Sequence, residues 1–211
     1  DRTSTTLTAY AVEANCKPVL NPSVYDSNST TTALTGNNKK LIKGKSDASY
    51  AVNASARNYA TIRSIEVRNG SSVLSTATGV FKATKSNDFS FYVTDSRGYT
   101  TTAALLPDMI PYLNLTCIVD AEAPTADGVM SFVIKGAYYN GSFGTASNSL
   151  VVKYRWKVSG GTFTEWTTAT HEILGDGTYH ATITLTGLDY LSAYTIEAYA
   201  TDIFGTVHSD E

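Results

Sequence analysis

Short stretches of alternating apolar and polar residues run the length of the chain, each closing on Gly, Asn, Asp or Ser. From Ala60 to Arg68 the order places Ile65 and Val67 on one face and Glu66 and Arg68 on the other, then meets Asn69-Gly70, a dipeptide that tolerates the positive φ of a tight hairpin turn. The same period-two pattern predicts strands at Asp88 to Val93, Val129 to Ala137, Val151 to Val158, Ala181 to Thr186 and Tyr194 to Thr201. No window of eleven or more residues repeats apolar positions at three and four, so no long amphipathic helix is expected. The fold class is all-β.

The pattern also repeats at long range. Val93-Thr94-Asp95-Ser96-Arg97-Gly98 has a counterpart in Ala200-Thr201-Asp202-Ile203-Phe204-Gly205, each ending an alternating strand. The spacing is about that of one immunoglobulin-like domain, roughly 100 residues, and Thr-Asp-x-x-Gly reads as the tight connection between the last two strands of each copy. Asp95 and Asp202 can accept backbone N–H groups two residues on, while Gly98 and Gly205 supply positive φ, so turn chemistry accounts for all four residues. The expected organisation is two tandem immunoglobulin-like β-sandwiches at 13–106 and 112–211, joined by a short, proline-restrained linker at 107–111. Residues 1–12 are expected to be a linker or the end of a preceding domain, and the chain reads as a piece of a longer polypeptide.

Cys16 and Cys117 stand near the start of the two copies, after Tyr10 and Tyr112. Equivalent positions in successive domains lie about a domain length apart, beyond the under 7 Å between Cα atoms that a disulfide needs, so two free, mostly buried thiols are expected. Five Asn-x-Ser/Thr sequons occur, a number that a chain rich in Ser and Thr produces by chance.

Charge narrows the partners. Sixteen basic residues against nineteen acidic give a net charge of −3 with no basic block, which disfavours nucleic acid. No apolar run approaches the roughly 18 residues of a membrane helix, and the residues from Asp1 to Thr6 lack the order of a signal peptide, so no membrane association is expected. The three histidines, His171, His180 and His208, form no local metal motif, and no nucleophile elbow or phosphate-binding loop appears. Asp120, Glu122 and Asp127 lack the spacing of a twelve-residue calcium loop and read as solvated charge. The expectation is a chain with no catalytic residue, no metal and no cofactor.

One loop stands out as a candidate binding site. Between two strands, Gly136 to Gly144 sets Tyr138, Tyr139 and Phe143 among glycines and small polar residues. Flat rings in a loop can stack on sugar rings or plug a neighbouring subunit; packing onto their own sandwich is the commoner use.

In the second copy, Ala181 to Leu188 runs into Asp189 to Ala200, with Leu188 and Tyr194 six apart. This resembles the turn between strands E and F of fibronectin type III domains, which implies that Tyr194 packs over the corner and bonds back to the chain. Val152 to Val158 resembles strand C of that fold, although Trp156 lies there whereas the family's core tryptophan is usually on strand B. In the first copy, Leu41 to Ser46, Asn58 to Ile62 and Asp88 to Gly98 resemble the repeated β domains of minor structural tail proteins in long-tailed phages of Gram-positive bacteria. That resemblance covers most of the chain and supplies no catalytic residue. It implies a virion tail tip, baseplate or fibre component acting outside the cell, with other tail proteins as partners and host cell-wall carbohydrate as a candidate ligand. Alternatives are a fragment of a bacterial surface adhesin and the accessory domains of a glycan-degrading enzyme.

Overall fold

The computed structural model describes residues 13–74 and 76–209. The linker or domain end expected at 1–12 lies outside them. The chain is all-β, with about half of it in strands, and it divides into two compact units, Asp1–Ile110 and Pro111–Glu211.

In chain order the first unit carries α1 (Glu13–Cys16), β1 (Val19–Asp26), α2 (Ser29–Thr35), β2 (Lys40–Ile42), β3 (Ala48–Ser55), β4 (Ile62–Asn69), β5 (Ser72–Leu74), β6 (Thr78–Phe81), β7 (Phe89–Asp95), β8 (Thr100–Leu105) and β9 (Asp108–Ile110). Two antiparallel sheets, in the orders β1-β3-β6 and β5-β4-β7-β8, face each other. Their inner faces meet in a core where Ala48, Tyr50 and Val52 from one sheet pack with Val67, Phe89, Phe91 and Val93 from the other. Strict alternation along β7 explains its share: Phe89, Phe91 and Val93 all point inward while Ser90, Tyr92 and Thr94 do not. Pro22 pairs opposite Val52 on the edge strand β1, where a missing N–H is tolerated.

The second unit carries β10 (Ile118–Ala121), β11 (Met130–Ala137), β12 (Val151–Val158), β13 (Thr167–Thr168), β14 (Glu172–Ile173), β15 (Thr178–Leu185), β16 (Tyr194–Asp202) and β17 (Gly205–His208). Its sheets run β10-β11-β15-β14 and β13-β12-β16-β17. Phe132, Ile134, Tyr179, Ala181 and Ile183 face Val152, Ala198 and Ala200 across its core. The pairing within the two main sheets matches that of the first unit strand for strand, with β14 added and without α2 and the β2–β9 pair. This is an immunoglobulin-like sandwich in both cases.

Three features depart from expectation. The short helix α2 is too polar, Ser-Thr-Thr-Thr-Ala-Leu-Thr, to show a helical period; it is held by its ends, with the Asn28 side chain accepting the Thr30 N–H at 3.0 Å and Gly36 closing it at φ 65°. The segment expected as a linker at 107–111 gives three residues to the first unit, because β9 pairs in parallel with β2, and Ile110 is buried there beside the fully buried Leu41 and Ile42. At the Asn69-Gly70 hairpin, Asn69 stays within β4, opposite Ser72, and Gly70 alone takes positive φ, 55°.

Candidate functional site

The repeated Thr-Asp-x-x-Gly element lies where the alternation puts it, between β7 and β8 and between β16 and β17. Each Asp is the last residue of a strand and keeps the buried phase, two positions after Val93 or Ala200, so both carboxylates point into the end of a sandwich. Asp95 is wholly buried and fully committed: Oδ1 accepts the N–H groups of Arg97 (2.9 Å) and Tyr99 (3.0 Å), and Oδ2 accepts Arg97 Nη2 (2.7 Å) and Nε (3.1 Å). Arg97 then donates to the carbonyls of Cys16 (2.8 Å) and Arg57 (3.1 Å). Burial pushes the Asp95 pKa up, but the Arg97 side chain, the two backbone donors and the guanidinium charge together hold it below its ordinary value.

Asp202 keeps the turn contact and changes the partner. Its Oδ1 accepts Phe204 N–H at 2.8 Å, while Oδ2 accepts the Tyr112 hydroxyl at 2.7 Å and Asn148 Nδ2 at 3.3 Å. In both units the carboxylate therefore helps tie the segment that leads into the first strand to the last turn, through Arg97 in the first and directly through Tyr112 in the second. Burial first, then the neighbouring Asp202 carboxylate, raises the Tyr112 pKa far above its ordinary value. Gly98 (φ 90°) and Gly205 (φ 141°) sit in the left-handed region that the turn requires.

Tyr138, Tyr139 and Phe143 follow β11 and pack into the same end of the second sandwich. Tyr138 is 1% exposed and Phe143 0%, so neither presents a ring to solvent. Phe143 lies 5.4 Å from Phe204, 5.4 Å from Tyr139 and 6.1 Å from Tyr112, ring centre to ring centre. Asn148 fastens the loop, donating to the Tyr139 carbonyl at 2.9 Å and accepting Ile203 N–H at 3.2 Å. Gly141 leaves room for the outer end of the Tyr139 ring, which a Cβ there would push aside. The loop thus plugs its own sandwich, and only the half-buried Tyr139 retains an exposed edge.

Tyr194, at the start of β16, bonds back as the resemblance implies: its hydroxyl accepts Asp189 N–H at 2.8 Å and approaches the Asp189 carbonyl at 3.3 Å. Trp156 lies 5.8 Å from its ring. Cys16 and Cys117 are free and buried, and burial pushes the Cys117 thiol pKa up, partly offset by the Tyr179 hydroxyl. Asp120 pairs with Lys135 at 2.8 Å, and among the described residues no group of three or more His, Cys, Asp or Glu could hold a metal ion. Among them, too, no helix is long and apolar enough to cross a membrane. A cleft of about 450 Å³ opens beside β10 and the start of β16, lined by Val119, Pro124, Met130 and Ile196 among others.

The outer face of the sheet β13-β12-β16-β17 gathers a cluster that no motif in the sequence announces. There the Arg155 guanidinium lies 4.4 Å from the Phe163 ring centre and 4.5 Å from that of Trp166, and Lys157 Nζ stands 4.4 Å from Phe163. Trp166 meets Tyr199 at 4.6 Å, and Tyr199 meets His208 at 5.5 Å. Arg155 also forms an ion pair with Glu197, Nη2 to Oε2, at 2.6 Å. The signal was present in Lys153, Arg155 and Lys157, which alternate with the inward Val152, Tyr154 and Trp156. The rings that join them come from a distant loop and strand.

No protein-family model matches the chain, and no curated protein matches it. Among solved structures it is similar to the three N-terminal domains of the highly immunogenic outer capsid protein (Hoc) of bacteriophage RB49. The identity is 11%, over 92% of this chain and 67% of that one, with a TM-score of 0.31. So distant a likeness transfers no role.

Proposed function

We propose that this chain is a non-enzymatic structural and adhesion module of a phage tail tip, baseplate or fibre, acting outside the cell. The observation that carries the reading is the use of the repeated element. The buried carboxylates Asp95 and Asp202 are committed to fastening their own sandwiches, which suits a spacer that keeps its shape. The resemblance of Leu41 to Ser46, Asn58 to Ile62 and Asp88 to Gly98 to repeated domains of phage minor tail proteins supports placing that spacer in a virion. Its partners are then other tail proteins, with host wall carbohydrate as the surface it meets, and it needs no cofactor, nucleic acid or membrane. Immunogold labelling of purified virions with antibody raised against the chain tests the assignment. Gold at the tail is the expected result, and particles that lack the chain altogether would remove the tail assignment.

A further inference from the structure

The outer face of β13-β12-β16-β17 combines two features that a solvated sheet face does not require. Phe163, Trp166 and Tyr199 are held half-buried in a row that crosses from the loop before β13 onto β16, and His208 extends it onto β17. Cations line the row. Arg155 is neutralised by Glu197, but Lys153 and Lys157 flank it with no carboxylate in ion-pairing range among the described residues, although the chain as a whole is net negative. Glu165, the acid in the loop before β13, is exposed. Lys153 stands directly across from Tyr199 in the β12–β16 register, so a free cation and a ring are immediate neighbours.

We infer that this face binds an anionic polysaccharide, whose sugar rings lie on Trp166 and Tyr199 while its acidic groups meet Lys153 and Lys157. Aromatic rings offer apolar floor to the C–H faces of sugars, and lysines supply mobile point charges to acids beyond them. An acidic peptide would satisfy the lysines and leave the rings unused; a neutral glycan would do the reverse. The open sheet surface suits an extended polymer that touches several rings at once. This deepens the adhesion part of the proposed function and rests on it only for biological context.

The test is titration of the full chain with polygalacturonate, measured by isothermal titration calorimetry, with neutral dextran and polyglutamate in parallel. Saturable binding to polygalacturonate is expected, at least about tenfold tighter than to either control, and weakening with salt because the charged contacts are exposed. Trp166→Ala should lose at least about tenfold in affinity and Trp166→Phe much less. Lys153→Gln with Lys157→Gln should weaken binding several-fold and flatten the salt dependence. The lysine pair is at the surface, so it decides the matter if Trp166→Ala fails to fold. Equal affinity for polyglutamate, unchanged binding by folded Trp166→Ala or by the lysine pair, or no saturable binding by the wild type would each overturn the inference. Such a failure leaves a tail spacer in place, whereas virions lacking the chain would leave this binding untouched.

Discussion

Asp95 and Asp202 show how one residue type at one strand phase does the same mechanical work with different chemistry. An Asp ending a strand in the buried phase must find donors or lose stability, because a buried unpaired carboxylate is costly. In the first unit the donors are a guanidinium and two backbone N–H groups; in the second they are a phenol, an amide and one backbone N–H. The turn role was legible from Asp, Gly and their spacing. The clamp was not, since Cys16, Arg57, Tyr112 and Asn148 are all distant in sequence. The depressed pKa of Asp95 gives a pH signature. Its folded-state value lies below the ordinary 3.8, so its contribution to stability is present at neutral pH and is lost as pH falls through the folded value. Asp95→Asn should lower the melting temperature at pH 7 and flatten the loss of stability between about pH 4 and pH 2. Thermal melts across that range check both, and a variant as acid-sensitive as the wild type would refute the ion-pair account.

At the scale of elements, legibility followed the contrast of the alternation more than its length: β1, interrupted by Asn21-Pro22, and β3, mostly Ala, Ser and Asn around Tyr50 and Val52, have eight residues each and were not foreseen. The strands β4, β7, β11, β12 and β16 carry seven or more residues each and were foreseen to within a few residues. The β2–β9 pair was not, because three residues a side show no period and the pairing joins segments on either side of most of the unit. The helix α2 was signalled only by its caps, Asn28 and Gly36. The aromatic loop was visible as a loop, but whether its rings faced out or in depended on Tyr112 and Phe204 arriving from both flanks. A stricter constraint falls on Gly136, within β11. A Cβ there would lie 2.0 Å from the Thr116 carbonyl oxygen, and that backbone cannot yield cheaply because Thr116 Oγ1 accepts Ala137 N–H at 2.7 Å. Gly136→Ala should therefore destabilise the second unit by about 3 kcal/mol, the upper part of the range for overpacking. Urea denaturation measures it, and a cost below about 1 kcal/mol would mean that the crossing relaxes freely.

At the scale of the molecule, each unit closes a core of its own. The cluster around Phe91 draws only on residues of Asp1–Ile110, and that around Phe132 only on residues of Pro111–Glu211. Units of about 100 residues with separate cores generally unfold as separate cooperative transitions. The plug at the end of the second unit makes this measurable. Phe143 is fully buried among Tyr112, Tyr139 and Phe204, and truncating such a ring costs about 3–5 kcal/mol. For a unit of this size that corresponds to a fall of more than about 10 °C. Calorimetry of Phe143→Ala should show one transition displaced by that amount and the other unmoved, because the substitution touches one core alone. If a single transition moves as a whole, the two sandwiches share stability and act as one mechanical body. If neither moves, the aromatic loop is dispensable for folding, and its rings become available for the binding role that their burial now denies them.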